Sequence, residues 1–215
     1  MLEIPNQCEF WDEEAPAARF SHPLNERWLR QVATPDSRIL DFGCGYGRTL
    51  AELQYLGYRN LIGLDVSARM LERARSTVSG VPLVHAIEFP CPLEDGSVDL
   101  ILLLAVLTSI PQDDLQERVM KEVLRLLRPG GHLYVSDLPL QKDARRVARY
   151  VEARPAGLSY GTFEIDGGKA VMRHHPRERF DELFMAFRLV EEAEIPVATM
   201  RGRIADTVQF LLARD

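Results

Sequence analysis

Two hydrophobic patterns alternate along residues 38–137. Short, nearly unbroken apolar runs predict strands at Arg38–Asp41, about 60–65, Val81–Ala86, Val98–Leu107 and His132–Asp137. Between them, apolar positions return with a helical period over about 48–57, over 68–77, and from Pro111 onward through Leu115, Val119, Val123 and Leu126/Leu127. Ser67 is placed to cap the second of these helices, and Pro129-Gly130-Gly131 to end the third. The continuous apolarity of Val98–Leu107 is that of a parallel strand covered by helices on both faces. Strands alternating with helices predict an α/β fold built on a doubly wound, mostly parallel sheet.

The pattern differs at both ends. Residues 1–36 form a polar, aromatic-containing lead in which Leu24, Trp28, Leu29 and Val32 share one helical face before Thr34-Pro35-Asp36 breaks the chain. After Leu138 comes a basic helical stretch, 141–154. A β-hairpin is predicted next, with arms Tyr160–Ile165 and Ala170–His175 turning at Asp166-Gly167-Gly168-Lys169. A helix over about 177–186, a strand at Leu189–Val197, a loop at Met200–Ile204 and a last strand at Thr207–Ala213 complete the chain. The expected organisation is one domain over 1–215, with a lead (1–36), a core (37–140), an inserted cover (141–176) and a C-terminal helix with closing strands (177–215).

Composition narrows the function classes. A chain of 215 residues that is 46% hydrophobic and 27% charged suits one substantial α/β domain. A net charge of −6 argues against a backbone-tracking nucleic-acid protein, since such proteins carry a basic face. Arg145, Arg146, Arg149 and Arg154 form a local exception, and within so acidic a chain a solvated helix face is the expected reading. Cys8, Cys44 and Cys91 lack metal-binding spacing and point to a reducing compartment. With no secretory signal pattern and no apolar run long enough to span a bilayer, the expectation is a cytoplasmic protein without membrane contact.

The chemistry concentrates at residues 38–47, Arg-Ile-Leu-Asp-Phe-Gly-Cys-Gly-Tyr-Gly. A strand runs into Asp41 and then into Gly43, Gly45 and Gly47, which let the backbone turn and approach a ligand closely at a helix N-terminus. Asp65 ends the next strand, at a spacing suited to gripping ribose hydroxyls. The third glycine comes one residue earlier than in the dinucleotide fingerprint G-x-G-x-x-G.

Asp41-x-Gly43-x-Gly45-x-Gly47 resembles the first motif of class I S-adenosylmethionine (SAM)-dependent methyltransferases. Later landmarks follow in order: Gly63-Leu-Asp65-Val-Ser67, Phe89-Pro90 through Asp99, and Leu126-Leu127-Arg128-Pro129-Gly130-Gly131-His132-Leu133. The closing antiparallel strands resemble the same family. The resemblance implies a seven-stranded sheet with SAM as cofactor. It implies that Gly43 and Gly45, with Cys44 packed between them, pass under the methionine portion, that Asp41 holds the loop and the ammonium group, and that Asp65 accepts from the ribose. Val66 and Met70 would pack on adenine, Ala105 would end the fourth strand beside the cofactor, and His85 or the Ala86 backbone would meet the adenine amine.

Methyl transfer needs a base only when the nucleophile carries a proton. The candidates are His174, His175 and Tyr160 in the cover, then His22; strand neighbours face opposite ways, so only one of the two adjacent histidines can face the site. Trp11, Phe20 and Trp28 are expected in the core. Ala105-Val106-Leu107-Thr108 lacks the motif of amino-methylating DNA enzymes, so the expected acceptor is an oxygen or nitrogen of a small molecule. The alternatives are a non-catalytic SAM-binding subunit, a nicotinamide-dependent oxidoreductase, and a methyltransferase acting on RNA or protein. Arginines of the 145–154 stretch beside the pocket mouth would mark the last of these.

Overall fold

The computed structural model describes residues 7–19, 21–152, 157–200 and 202–215. The lead contributes helices α1 (Gln7–Glu14) and α2 (Glu26–Val32), the second capped by the Asn25 side chain, which accepts from the Trp28 N–H. The core follows as β1 (Arg38–Phe42), α3 (Arg48–Tyr55), β2 (Asn60–Asp65), α4 (Ala68–Thr77), β3 (Leu83–His85), β4 (Val98–Leu104), α5 (Asp113–Leu126) and β5 (Leu127–Asp137). The cover is α6 (Ala144–Glu152) with the hairpin β6 (Thr162–Ile165) and β7 (Ala170–Arg173). The chain closes with α7 (Arg177–Leu183), β8 (Arg188–Ala198) and β9 (Ile204–Ala213).

One seven-stranded sheet runs in the order β3-β2-β1-β4-β5-β9-β8, and β6–β7 form a separate two-stranded sheet. The pairs among β1–β5 are parallel, whereas β9 runs antiparallel to both β5 and β8. The direction of winding reverses between β1 and β4, and a cleft opens there beyond the carboxyl ends of the strands.

Alternation along buried strands sorts the core into two layers. Leu40, Phe42, Ile62, Ile101 and Leu103 face one side, with Val119 and Val123 of α5 and Phe180 of α7. Ile39, Leu61, Leu100 and Leu102 face the other, with Trp28 of α2, Leu50 and Leu53 of α3 and Leu71 of α4. As expected, Ser67 caps α4 by accepting from the Met70 N–H at 3.0 Å.

Several boundaries depart from the sequence expectations. β4 stops at Leu104, because Ala105 turns to φ +56° and a 3-10 turn follows at Leu107–Ser109. Pro129-Gly130-Gly131 does not end a helix: α5 is already over at Leu126. The strand register jumps from Val98↔Leu127 to Leu100↔His132, so Arg128–Gly131 loops out of the ladder. The lead holds a helix, α1, that its pattern did not announce, since Phe10 is its one buried residue. The expected core role holds for Trp28, 1% exposed, while Phe20 and Arg154 lie outside the described residues. Among the described residues no helix is long and apolar enough to cross a membrane.

Candidate active site

The cleft at the β1/β4 switch is a cavity of about 860 Å³, toward the upper end of the roughly 300–1,000 Å³ range of small-molecule sites. The glycine turn forms its floor. Gly43 (φ +80°) and Gly45 (φ +52°) adopt the left-handed region, and a Cβ on Gly43 would lie 2.6 Å from Val106 Cγ2. The Gly43 and Cys44 N–H groups both donate to the Leu64 carbonyl, which fixes the turn against β2.

Asp65, 8% exposed, receives the Gly45 N–H on one carboxylate oxygen (2.7 Å) and the Ser67 N–H on the other (2.9 Å). Burial raises its pKa against those hydrogen bonds. Asp41 is still more enclosed, at 2% exposure, and burial pushes its pKa up to about 7. Its Oδ2 has no hydrogen-bond partner among the described residues. A buried acceptor left open at the edge of a cavity is a costly arrangement that a bound ammonium group would relieve.

Arg48, the first residue of α3, supplies charge of the opposite sign to the same end. It donates to Glu52 at 2.9 Å and to the His22 carbonyl at 2.5 Å, with its Nε buried and unpartnered. Asp41 for an ammonium, Arg48 for a carboxylate, the glycine turn for close backbone approach and Asp65 for vicinal hydroxyls together fit the amino-acid and ribose portions of SAM.

Of the residues implied by resemblance, Asp41, Gly43, Cys44, Gly45, Asp65, Val66, Met70, Ala86 and Ala105 all line this cavity. His85 does not: it is exposed, and its Nε2 lies 2.9 Å from the Val66 carbonyl, so the ring is turned onto the backbone and donates there. The Cys44 thiol is pushed well up by burial, which leaves it inert packing in the loop.

The three proposed bases separate. His174 lines the cavity, 7% exposed, with Nδ1 at 2.6 Å from the Tyr150 hydroxyl. That hydroxyl already accepts the Gln141 N–H at 3.0 Å, so its own proton has His174 Nδ1 as its acceptor. The opposite tautomer would leave a buried O–H without a partner, at a cost of about 1–3 kcal/mol. His174 therefore carries its proton on Nε2 and presents a donor. Burial, with Arg146 and Arg149 nearby, lowers its pKa to about 3, so the ring stays neutral.

His175 is fully buried away from the cavity, where its Nε2 accepts from Gln116 Nε2 at 2.7 Å. Tyr160 is 44% exposed, packs edge-on against Tyr150 and also stands outside the lining. Neither is positioned to act as a base: β7 ends at Arg173 and the chain turns back under Leu138, which carries His175 away, while Tyr160 precedes β6 and packs on Tyr150. His22 is buried in the lining with Nδ1 at 2.9 Å from Ser136 Oγ, and burial lowers its pKa to about 4.

Other lining residues were not foreseen. Gln7 and Cys8 of α1 reach the cavity, as does Trp11, which was expected in the core and is instead half-buried in the lining; α1 is tied down at both ends. Asp12 accepts from Ser67 Oγ (2.6 Å) and the Arg69 N–H (3.1 Å), while Gln7 donates to the Ser109 and Val171 carbonyls. The tip between β8 and β9 adds Thr199, Met200 and Arg203. Arg145, Arg146 and Arg149 also line the cavity, which corrects the solvated-face reading of that stretch. The available signal was that Arg145 and Arg149 stand one helical turn apart, next to the buried Tyr150.

Comparison with known proteins agrees with this geometry. Residues 40–135 match the family model described as a methyltransferase domain. The ubiquinone biosynthesis O-methyltransferase of Cupriavidus pinatubonensis is 28% identical over 202 residues, covering 90% of this chain and 75% of that protein. A ribosomal protein L11 methyltransferase of Ralstonia nicotianae is 30% identical over 142 residues, covering 64% of this chain and 45% of that protein. A SAM-dependent methyltransferase from Methanosarcina mazei has the same fold, with a TM-score of 0.77 at 22% identity over 86% of this chain and 96% of that one. Residues 40–135 thus match a methyltransferase domain, and the chain has the fold of a solved SAM-dependent methyltransferase.

Proposed function

We propose that this protein transfers a methyl group from SAM to an oxygen or nitrogen of a small-molecule acceptor. When bound, SAM supplies a methyl group already activated on a sulfonium centre. The protein's task is then to orient the acceptor in line with that methyl and to exclude water. Asp41, Arg48, the Gly43–Gly45 turn and Asp65 would hold the donor. Val106, Leu138 and Met172 wall the rest of the cavity with apolar surface, and His174 offers a hydrogen bond from Nε2 to the acceptor. With a donor proton on that nitrogen, the reading requires a nucleophile that is unprotonated at working pH, or one that loses its proton to solvent.

The observation that carries the small-molecule reading is the roof. Helix α1, helix α6, the hairpin and the β8–β9 tip all contribute lining to one cavity of about 860 Å³. A space covered from four sides by the chain's own elements suits a small acceptor rather than a folded surface. A second reading, an RNA or protein acceptor, draws on the arginines of α6. Three free cysteines are in keeping with a cytoplasmic setting.

The test is transfer of isotopically labelled methyl from SAM to panels of small phenols, amines and acids, beside RNA and whole-protein fractions. Label in a small molecule, lost in an Asp65→Ala variant, is the expected result. Label confined to RNA or protein would overturn the small-molecule reading, and SAM binding without transfer to any class would favour a non-catalytic SAM-binding subunit.

A further inference from the structure

The charge around the cavity is distributed against the charge of the chain. The protein carries a net −6. Yet five arginines (Arg19, Arg145, Arg146, Arg149 and Arg203) line the cavity apart from Arg48 at the glycine turn. The lining acids other than Asp41 and Asp65 reduce to Asp166.

Among the described residues, Arg146 is paired with Asp143 and also donates to the Ile204 carbonyl, whereas Arg145 and Arg149 form no ion pair. Arg149 is half-buried with its guanidinium 4.1 Å over the Phe163 ring. Desolvation is the largest influence on it and pulls its pKa down, and the opposing influences of Tyr150 and Asp166 do not offset it. A desolvated guanidinium without a counter-ion is an unfavourable arrangement that a bound anion would correct. Below it, the wall is apolar: Phe163 is 3% exposed, and Met172 and Ile165 lie beside it. His174 meets Phe163 edge-on at 4.9 Å and adds a neutral N–H donor on the same wall.

We propose that the acceptor is a small apolar or aromatic molecule bearing a carboxylate, held by the Arg145 and Arg149 guanidinium groups above the Phe163 wall. This deepens the small-molecule reading and rests on it. Guanidinium groups match a carboxylate with paired N–H donors and stack on flat faces. The single exposed carboxylate opposite, Asp166, is too little negative charge to satisfy the set. An RNA backbone would call for basic residues spread over an open face. Here they converge on a covered, apolar-walled cavity.

The test compares 2-naphthoate with 2-naphthamide, equal in shape and different in charge, by calorimetry on the full chain with and without S-adenosylhomocysteine. The acid should bind at least tenfold tighter than the amide. Arg145→Gln with Arg149→Gln should erase that preference, and Arg149→Lys, which keeps the charge and the cover on Phe163, should keep most of it. Equal affinities, binding of neither probe, or a preference that survives the double substitution would overturn the proposal. So would a short RNA that binds tighter than naphthoate through the same arginines. S-adenosylhomocysteine binding in the same titrations separates the two readings: its failure with naphthoate preference intact sinks the methyltransferase reading and leaves a carboxylate site that holds no methyl acceptor, and its presence without that preference sinks this proposal alone.

Discussion

Asp41 carries the sharpest prediction at the scale of single residues. Burial places its pKa at about 7, so in the cofactor-free protein it is largely protonated on the acid side of neutrality. A ligand ammonium binds the charged carboxylate, so binding releases the Asp41 proton below that pH, and SAM affinity falls as pH falls. The loss approaches about tenfold per pH unit for one linked proton. Titrations between about pH 7 and pH 5.5 should show this slope in wild type, and a weaker, flatter profile in Asp41→Asn.

Gly43→Ala places a side chain at φ +80° and 2.6 Å from Val106 Cγ2. We expect about 1–2 kcal/mol of lost stability from the backbone alone, and at least a tenfold loss of SAM affinity. Adding Val106→Ala should recover the steric part but not the backbone part, which thermal denaturation of the single and double variants can separate. The glycine turn and Asp65 were legible in the sequence because their chemistry is local: strand, tight turn and helix lie within one short segment. The α6 arginines were not, because whether a charged helix face meets solvent or a cavity is decided by what packs beneath it.

At the scale of elements, one polar cluster ties the end of β7 to the core. Arg173 at the end of β7 is 3% exposed and donates to Asp113 of α5 at 2.6 Å. Its carbonyl accepts from Thr108 Oγ1 at 2.7 Å, and Arg179 of α7 donates to the Asp113 carbonyl at 3.0 Å. Removing the half-exposed Asp113 carboxylate leaves a buried guanidinium with one carbonyl partner, Pro111. Asp113→Ala should therefore cost about 1–3 kcal/mol of stability. It should lower turnover more than SAM affinity, because the donor residues sit on β1, β2 and the glycine turn; chemical denaturation beside calorimetry checks both halves. The hairpin itself was readable from Asp166-Gly167-Gly168-Lys169, whereas α1 was not, because it buries a single residue, Phe10, and adds polar contacts such as Asp12 to Ser67. Tertiary hydrogen bonds of that kind leave no hydrophobic period behind.

At the scale of the whole molecule, the strand order β3-β2-β1-β4-β5-β9-β8 sets the site. Parallel strands ending at the β1/β4 switch bring Asp41, Asp65 and Ala105 to one cleft, although they stand far apart in the chain. The α/β alternation and the closing antiparallel strands were visible as periodicity. A cover over 141–176 was expected, but the share of the roof taken by α1 and the β8–β9 tip was not, because these elements meet only once the sheet is formed.

The most direct test is calorimetric binding of SAM and S-adenosylhomocysteine to wild type, Asp65→Asn and Asp65→Ala, with NAD as control. We predict that wild type binds both adenosyl ligands and not NAD. Asp65→Ala should lose at least tenfold in affinity, about 1.4 kcal/mol, and Asp65→Asn, which keeps one acceptor for a backbone N–H, should fall between. Wild type that binds neither adenosyl ligand would contradict the account, and NAD binding in their place would point to an oxidoreductase.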